Sequence, residues 1–68
     1  MHITDHALER FMERIGATDA DAARDELTAA ALAATPYQQD GEYTHEMAQT
    51  ASGSMTVVRV KDIVITVY

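Results

Sequence analysis

The chain has no cysteine. That excludes a disulfide framework, a thiolate nucleophile and a cysteine-ligated zinc, and leaves an aliphatic core to hold the fold in a reducing compartment. Basic residues are scarce: five Lys and Arg stand against eleven Asp and Glu, a formal net charge of −6 over 68 residues. A smooth basic surface for phosphate backbones or anionic lipid is thereby excluded, and only a local patch could play that part. Long apolar runs are missing too. None approaches the roughly 20 residues that span a bilayer, and the first residues have neither the basic start nor the apolar centre of a secretion signal. The expectation is a cytoplasmic protein without membrane contact. No Gly-rich phosphate loop, nucleophile elbow, paired zinc-ligand motif or aspartate calcium loop occurs, so neither a cofactor nor serine-type covalent catalysis is expected. Residues 1–68 form a single small domain, one that buries only about 60% of the surface its unfolded chain exposes.

Within those limits the N-terminal half is helical. Thr4 is placed to cap a helix over about residues 5–15, with Asp5 in the first turn and Ile3 positioned to staple against Leu8. Ala7, Leu8, Phe11, Met12 and Ile15 recur on a 3.6-residue period, and Gly16 supplies the left-handed stop. Thr18 is expected to cap a second helix that ends by Pro36, its apolar face formed by Ala20, Ala23, Leu27, Ala30, Ala31 and Ala34. From Pro36 to Glu42 the composition reads as turn and loop, with Asp40-Gly41 the strongest turn dipeptide. Residues 43–51 alternate weakly as a strand, although a helical turn also fits. Two clear β runs close the chain, Met55 to Val60 and Ile63 to Tyr68, joined by the two-residue turn Lys61-Asp62. The fold class is α+β: two N-terminal helices packed on one face of a small antiparallel sheet, ααβββ or ααββ.

The two-residue turn sets an expected register of Val60 opposite Ile63, Val58 opposite Ile65 and Thr56 opposite Val67. That aliphatic set is expected to lie under the helices. Met55, Val57, Arg59, Val64, Thr66 and Tyr68 then form an uncovered face, which two short helices cannot reach and which should meet a partner or a second copy of the chain.

Three groupings could carry chemistry. His6, Arg10 and Arg14 follow at four-residue steps and make a cationic ridge, either an anion clamp or an ordinary solvated helix face. His2 and His6 share that spacing, but His2 precedes the cap and no metal site is expected. His45, Arg59, Thr66 and Tyr68 contain the inventory of a metal-free ribonuclease, in which a histidine moves protons, an arginine steadies the phosphate and an aromatic ring stacks a base. Asp40, Glu42, Glu46 and Asp62 in the same half of the chain oppose direct capture of nucleic acid.

The segment Ile-Thr-Asp-His-Ala-Leu-Glu-Arg-Phe-Met-Glu-Arg-Ile at residues 3–15, with Val-Lys-Asp-Ile-Val-Ile-Thr-Val at residues 60–67, resembles a group of small phage and prophage proteins. Those proteins pair a His-Ala-x-x-Arg-x-x-x-Arg helix with a terminal hairpin. The layout also looks like a minimal relative of the barnase, colicin and RelE-type ribonuclease superfamily. By that resemblance His6, Arg10 and Arg14 match the helix motif and Thr66 the last strand. Too few strands and an acidic balance depart from that superfamily, so the resemblance implies either an enzyme or a non-catalytic relative.

Two functional expectations follow. One is a small acidic phage-type interaction protein that inhibits a host nucleic-acid-handling or defence complex in the manner of an anti-CRISPR. Its contacts would be Asp19, Asp21, Asp25 and Glu26 together with the uncovered sheet face, and a homodimer through that face is a further possibility. The alternative is a metal-independent RNA endonuclease using His6, His45, Arg59 and Tyr68.

Overall fold

Thr4 starts the first helix as its neighbours require: its Oγ1 accepts the Ala7 N–H at 3.1 Å and also donates to the Ile65 carbonyl at 3.2 Å. The cap thus ties the helix to the last strand as well as closing its own first turn. In the computed structural model, which describes all residues 1–68, helix α1 runs Asp5–Ile15 and stops at Gly16 with φ +70°, its N–H returned to the Met12 carbonyl. Asp5 at the positive end and Arg14 at the negative end both suit the helix dipole. Helix α2, Ala20–Leu32, is capped by Asp19, whose Oδ1 accepts from the backbones of Asp21 and Ala22. The expected cap at Thr18 is therefore one residue early; the carboxylate directly before Ala20 takes the orphan N–H groups.

Seven elements occur in the order β1 His2–Ile3, α1, α2, β2 Thr35–Asp40, β3 Tyr43–Thr50, β4 Gly53–Val60 and β5 Ile63–Val67. The strands form one sheet in the order β1-β5-β4-β3-β2, antiparallel except for the short parallel pairing of β1 with β5. Helices preceding an antiparallel sheet are the α+β arrangement expected, with more strands than expected. The segment 35–40 is a strand where a loop was expected. Pro36 is tolerated because β2 lies at the sheet edge, and a register shift between Pro36 and Gln38 absorbs the irregularity at Tyr37. All six β2 residues are exposed, so no apolar alternation marked the strand. Residues 43–50 resolve as a strand, and the turns at Gly41-Glu42 and Lys61-Asp62 each close a hairpin.

The register of the last hairpin differs from the expected one beyond its first pairs. Val60 faces Ile63, but a shift between Val58 and Arg59 then places Val58 opposite Thr66 and Val57 opposite Val67, with backbone bonds pairing Thr56 and Tyr68. The side assignment is reversed for β4 and the start of β5, while Val67 stays beneath the helices and Thr66 and Tyr68 on the open side as expected. Met55, Val57, Val64 and Val67 join Ala48 beneath the helices, in one core with Phe11, Leu27, Ala7, Ala23, Ala30 and Ala31. Each large side chain in that core contributes about 1.5–3 kcal/mol through burial. The alanines of α2 keep its axis close to the sheet, leaving Leu27 as that helix's only large fully buried residue.

The reason for the reversal is Arg59. A charged residue on the helix side looks forbidden until its partners are in view: Nη2 donates to Glu46 Oε1 at 2.6 Å and to the Ala31 carbonyl at 2.7 Å. Glu46 stands across the pairing from Val57 on the same side. Nη2 thus meets both the Glu46 carboxylate and a carbonyl in the last turn of α2, while Arg59 Nε is enclosed without a partner.

Candidate functional site

Three surfaces result from this fold. The first is the sheet face turned away from the helices. Alternation along β3 and β4 puts Tyr43, His45 and Met47 there beside Val60, Val58 and Thr56, while Ile63, Thr66 and Tyr68 continue the face at β5. Across its middle runs a hydrogen-bonded row. Tyr37 and Thr56 hydroxyls lie 2.9 Å apart, and the Tyr68 hydroxyl is 2.8 Å from His45 Nδ1. The His45 ring stands tilted between Tyr37 and Tyr68, with centroids 6.3 and 6.1 Å away. Thr56 and Val58 are buried although no helix covers them, and Val58 stands outside the helix-side core, consistent with these rings lying over them. The neighbouring Tyr37 hydroxyl favours the protonated Tyr68 phenol, and desolvation adds to this, so Tyr68 titrates above the ordinary phenol value. Chemically the row offers one imidazole in contact with one phenol, and the cations nearest to it, Arg10 and Arg14, line a hollow that Tyr68 also borders.

The expected uncovered face is corrected accordingly. Met55, Val57 and Val64 are enclosed in the core and Arg59 is directed toward α2, so these four cannot meet a partner. Thr66 and Tyr68 do lie on the open side. Of the ribonuclease set, His45 and Tyr68 come together, Arg59 is on the other side of the sheet, and His6 is exposed on α1.

The second surface is the cationic ridge. His6, Arg10 and Arg14 are exposed and none makes an ion pair. Arg10 and Arg14 line a hollow of about 300 Å³ with Glu13, Val67 and Tyr68, so the ridge borders the sheet at the free end of β5. Glu13 in that lining offsets part of its charge.

The third surface lies along another side of α1. A groove of about 570 Å³ has Leu8, Met12 and Ala17 in its floor and Asp5, Glu9 and Glu13 along it, closed by Gly16. Residues 5, 9 and 13 are one turn apart, with Leu8 and Met12 interleaved on the same side. Glu9 and Glu13 are unpaired, while Asp5 has only a distant, solvent-exposed partner in Arg24 at 3.8 Å. This spacing was present in the sequence, but the core stripe of the same helix masked it.

The four expected acidic contacts on α2 divide. Asp21 and Asp25 are free on the surface, Asp19 is engaged as the cap, and Glu26 is half-buried with Oε2 enclosed and unbonded. Seven of the eleven carboxylates, Asp5, Glu9, Glu13, Asp19, Asp21, Asp25 and Glu26, thus belong to the helical layer, and the open sheet face holds Asp40 alone. No group of three or more His, Cys, Asp or Glu side chains assembles in a metal-binding arrangement. No helix is long and apolar enough to cross a membrane. No family model, curated protein or solved structure matches the chain, so the functional reading rests on these surfaces.

Proposed function

We propose that this chain is a small acidic interaction protein, an inhibitor that docks its helical layer on a basic segment of a host nucleic-acid-handling or defence complex. The observation that carries the reading is the α1 groove, an apolar floor of Leu8, Met12 and Ala17 edged by the unpaired carboxylates Glu9 and Glu13. Such a groove suits an amphipathic cationic helix, which buries its apolar stripe and keeps its Lys or Arg residues near the rim. Asp21 and Asp25 on α2 extend the same sign of charge. Capture from a bacterial lysate, with identification of the bound protein, tests it. A Glu9→Lys/Glu13→Lys variant should lose that protein, and added salt should weaken the complex. Retention of the partner by the variant, or capture of none by the unaltered chain, defeats the reading.

A second reading, a metal-independent ribonuclease, is favoured by one contact, the 2.8 Å approach of His45 Nδ1 to the Tyr68 hydroxyl. His45 would take the proton of a 2′-hydroxyl as that oxygen bonds to phosphorus and the P–O5′ bond breaks, the Tyr68 hydroxyl would protonate the leaving 5′-oxygen, and Arg10 and Arg14, which share a hollow with Tyr68, would hold the phosphate. Incubation with single-stranded RNA decides it: cleavage that disappears in His45→Ala and falls in Arg10→Ala/Arg14→Ala supports an enzyme, and intact RNA rules it out.

A further inference from the structure

Five of the six large apolar or aromatic side chains that remain exposed, Tyr37, Tyr43, Met47, Ile63 and Tyr68, belong to one side of the sheet; Leu32, at the end of α2, is the exception. From this concentration we infer that the occupant of the open sheet face is a second copy of the same chain, giving a symmetric dimer with sheets stacked inside and helices outside.

Three features select a copy of this chain over another partner. In a two-fold contact the same patch serves both partners, with residue i meeting j and j meeting i, so a face of one net charge repels itself. This face carries a single carboxylate, Asp40 at its margin, and no Lys or Arg, whereas most carboxylates of the −6 chain are on the helical layer. Stacking the faces at the usual sheet spacing of about 10 Å keeps those helical layers roughly 30 Å apart, far beyond a Debye length of about 8 Å. The dimer therefore adds little electrostatic repulsion.

The second feature is composition. Tyrosine and methionine are enriched at the centres of protein interfaces, and hydroxyl groups such as those of Tyr37, Thr56 and Tyr68 can exchange bonds across a two-fold axis. A nucleic acid would also stack on these rings, but its phosphates would find cations only at the Tyr68 edge, where Arg10 and Arg14 share a hollow with Glu13, and Lys61 lies off the face in the turn. The third is size. The whole molecule extends only 33 × 21 × 16 Å, so a contact near the roughly 800 Å² per partner of a standard interface would engage most of one side, as the spread of exposed rings from Tyr37 to Tyr68 across the sheet would allow.

Sedimentation equilibrium tests the inference. The unaltered chain should approach about 15 kDa, twice its 7.5 kDa, as concentration rises, and dissociate on dilution. Met47→Lys and Ile63→Lys alter exposed positions; each should raise the dimer dissociation constant at least about tenfold with the circular dichroism spectrum unchanged. Glu9→Lys/Glu13→Lys should leave dimerisation intact, which separates this contact from docking at the α1 groove. A mass of 7.5 kDa at every concentration overturns the inference. So does a dimer indifferent to Met47→Lys and Ile63→Lys, or RNA or a foreign protein held on this face by a monomer.

Discussion

Glu46 and Arg59 meet at 2.6 Å between the sheet and α2, and the same guanidinium nitrogen reaches the Ala31 carbonyl. One side chain thereby joins β3, β4 and the end of α2. Removing the cation leaves a mostly buried carboxylate without compensation, a change that typically costs about 3–5 kcal/mol. Arg59→Met is expected to lower the urea midpoint steeply, and a small domain of this size has little stability to lose. Glu46→Leu/Arg59→Met, which removes both charges, is expected to recover much of the loss. A double variant as unstable as Arg59→Met would contradict the pairing.

The reversed sheet face has its own stability signature. Phe11 and Val57 are fully enclosed, while Ile63 is 40% exposed. Phe11→Ala should cost about 3–5 kcal/mol, and Val57→Asp should prevent folding by burying an unpaired charge. Ile63→Ser should cost less than Phe11→Ala, about 1–2 kcal/mol, since part of the Ile63 side chain is already in water. Thermal melts of dilute protein, scored at one concentration, measure all three.

Those positions also show how far the sequence was legible. Thr4, Gly16 and the 3.6-residue stripe through Ala7, Leu8 and Phe11 express local rules, and α1 forms where they place it. The terminal hairpin was legible for the same reason, through its two-residue turn and β-branched runs. Its sides were not. Both sides are rich in valine, and the presence of Arg59 made one side look solvent-facing until Glu46, thirteen residues away, and the Ala31 carbonyl supplied its partners. The extra residue Ile65, between the Arg59–Val64 and Val58–Thr66 pairings, was equally silent, because Val64, Ile65 and Thr66 are all β-formers and none signals a bulge. Of the candidate sites, the cationic ridge kept its helix spacing, whereas the row Tyr37, His45, Tyr68 depends on three strands meeting and has no local pattern.

Tyr68 carries a pH prediction. Its phenol titrates above the ordinary value near 10, chiefly through Tyr37. Because the folded state favours the protonated form, the associated stabilisation is complete below the unfolded phenol's pKa and is lost as pH rises through the folded one. Tyr37→Phe should bring the Tyr68 transition back toward the ordinary range in an ultraviolet titration, with Tyr68→Phe identifying which transition belongs to it. An unchanged Tyr68 transition would show that the two hydroxyls do not interact.

The docking account depends most on where a cationic amphipathic segment lands. Amide chemical-shift mapping during titration with a Lys/Leu amphipathic helical peptide reads this directly. Shifts should gather at Leu8, Glu9, Met12, Glu13 and Ala17 and diminish in Glu9→Lys/Glu13→Lys. Shifts spread evenly over all exposed carboxylates, or confined to residues outside α1 and the Ala17 loop, would contradict the docking account.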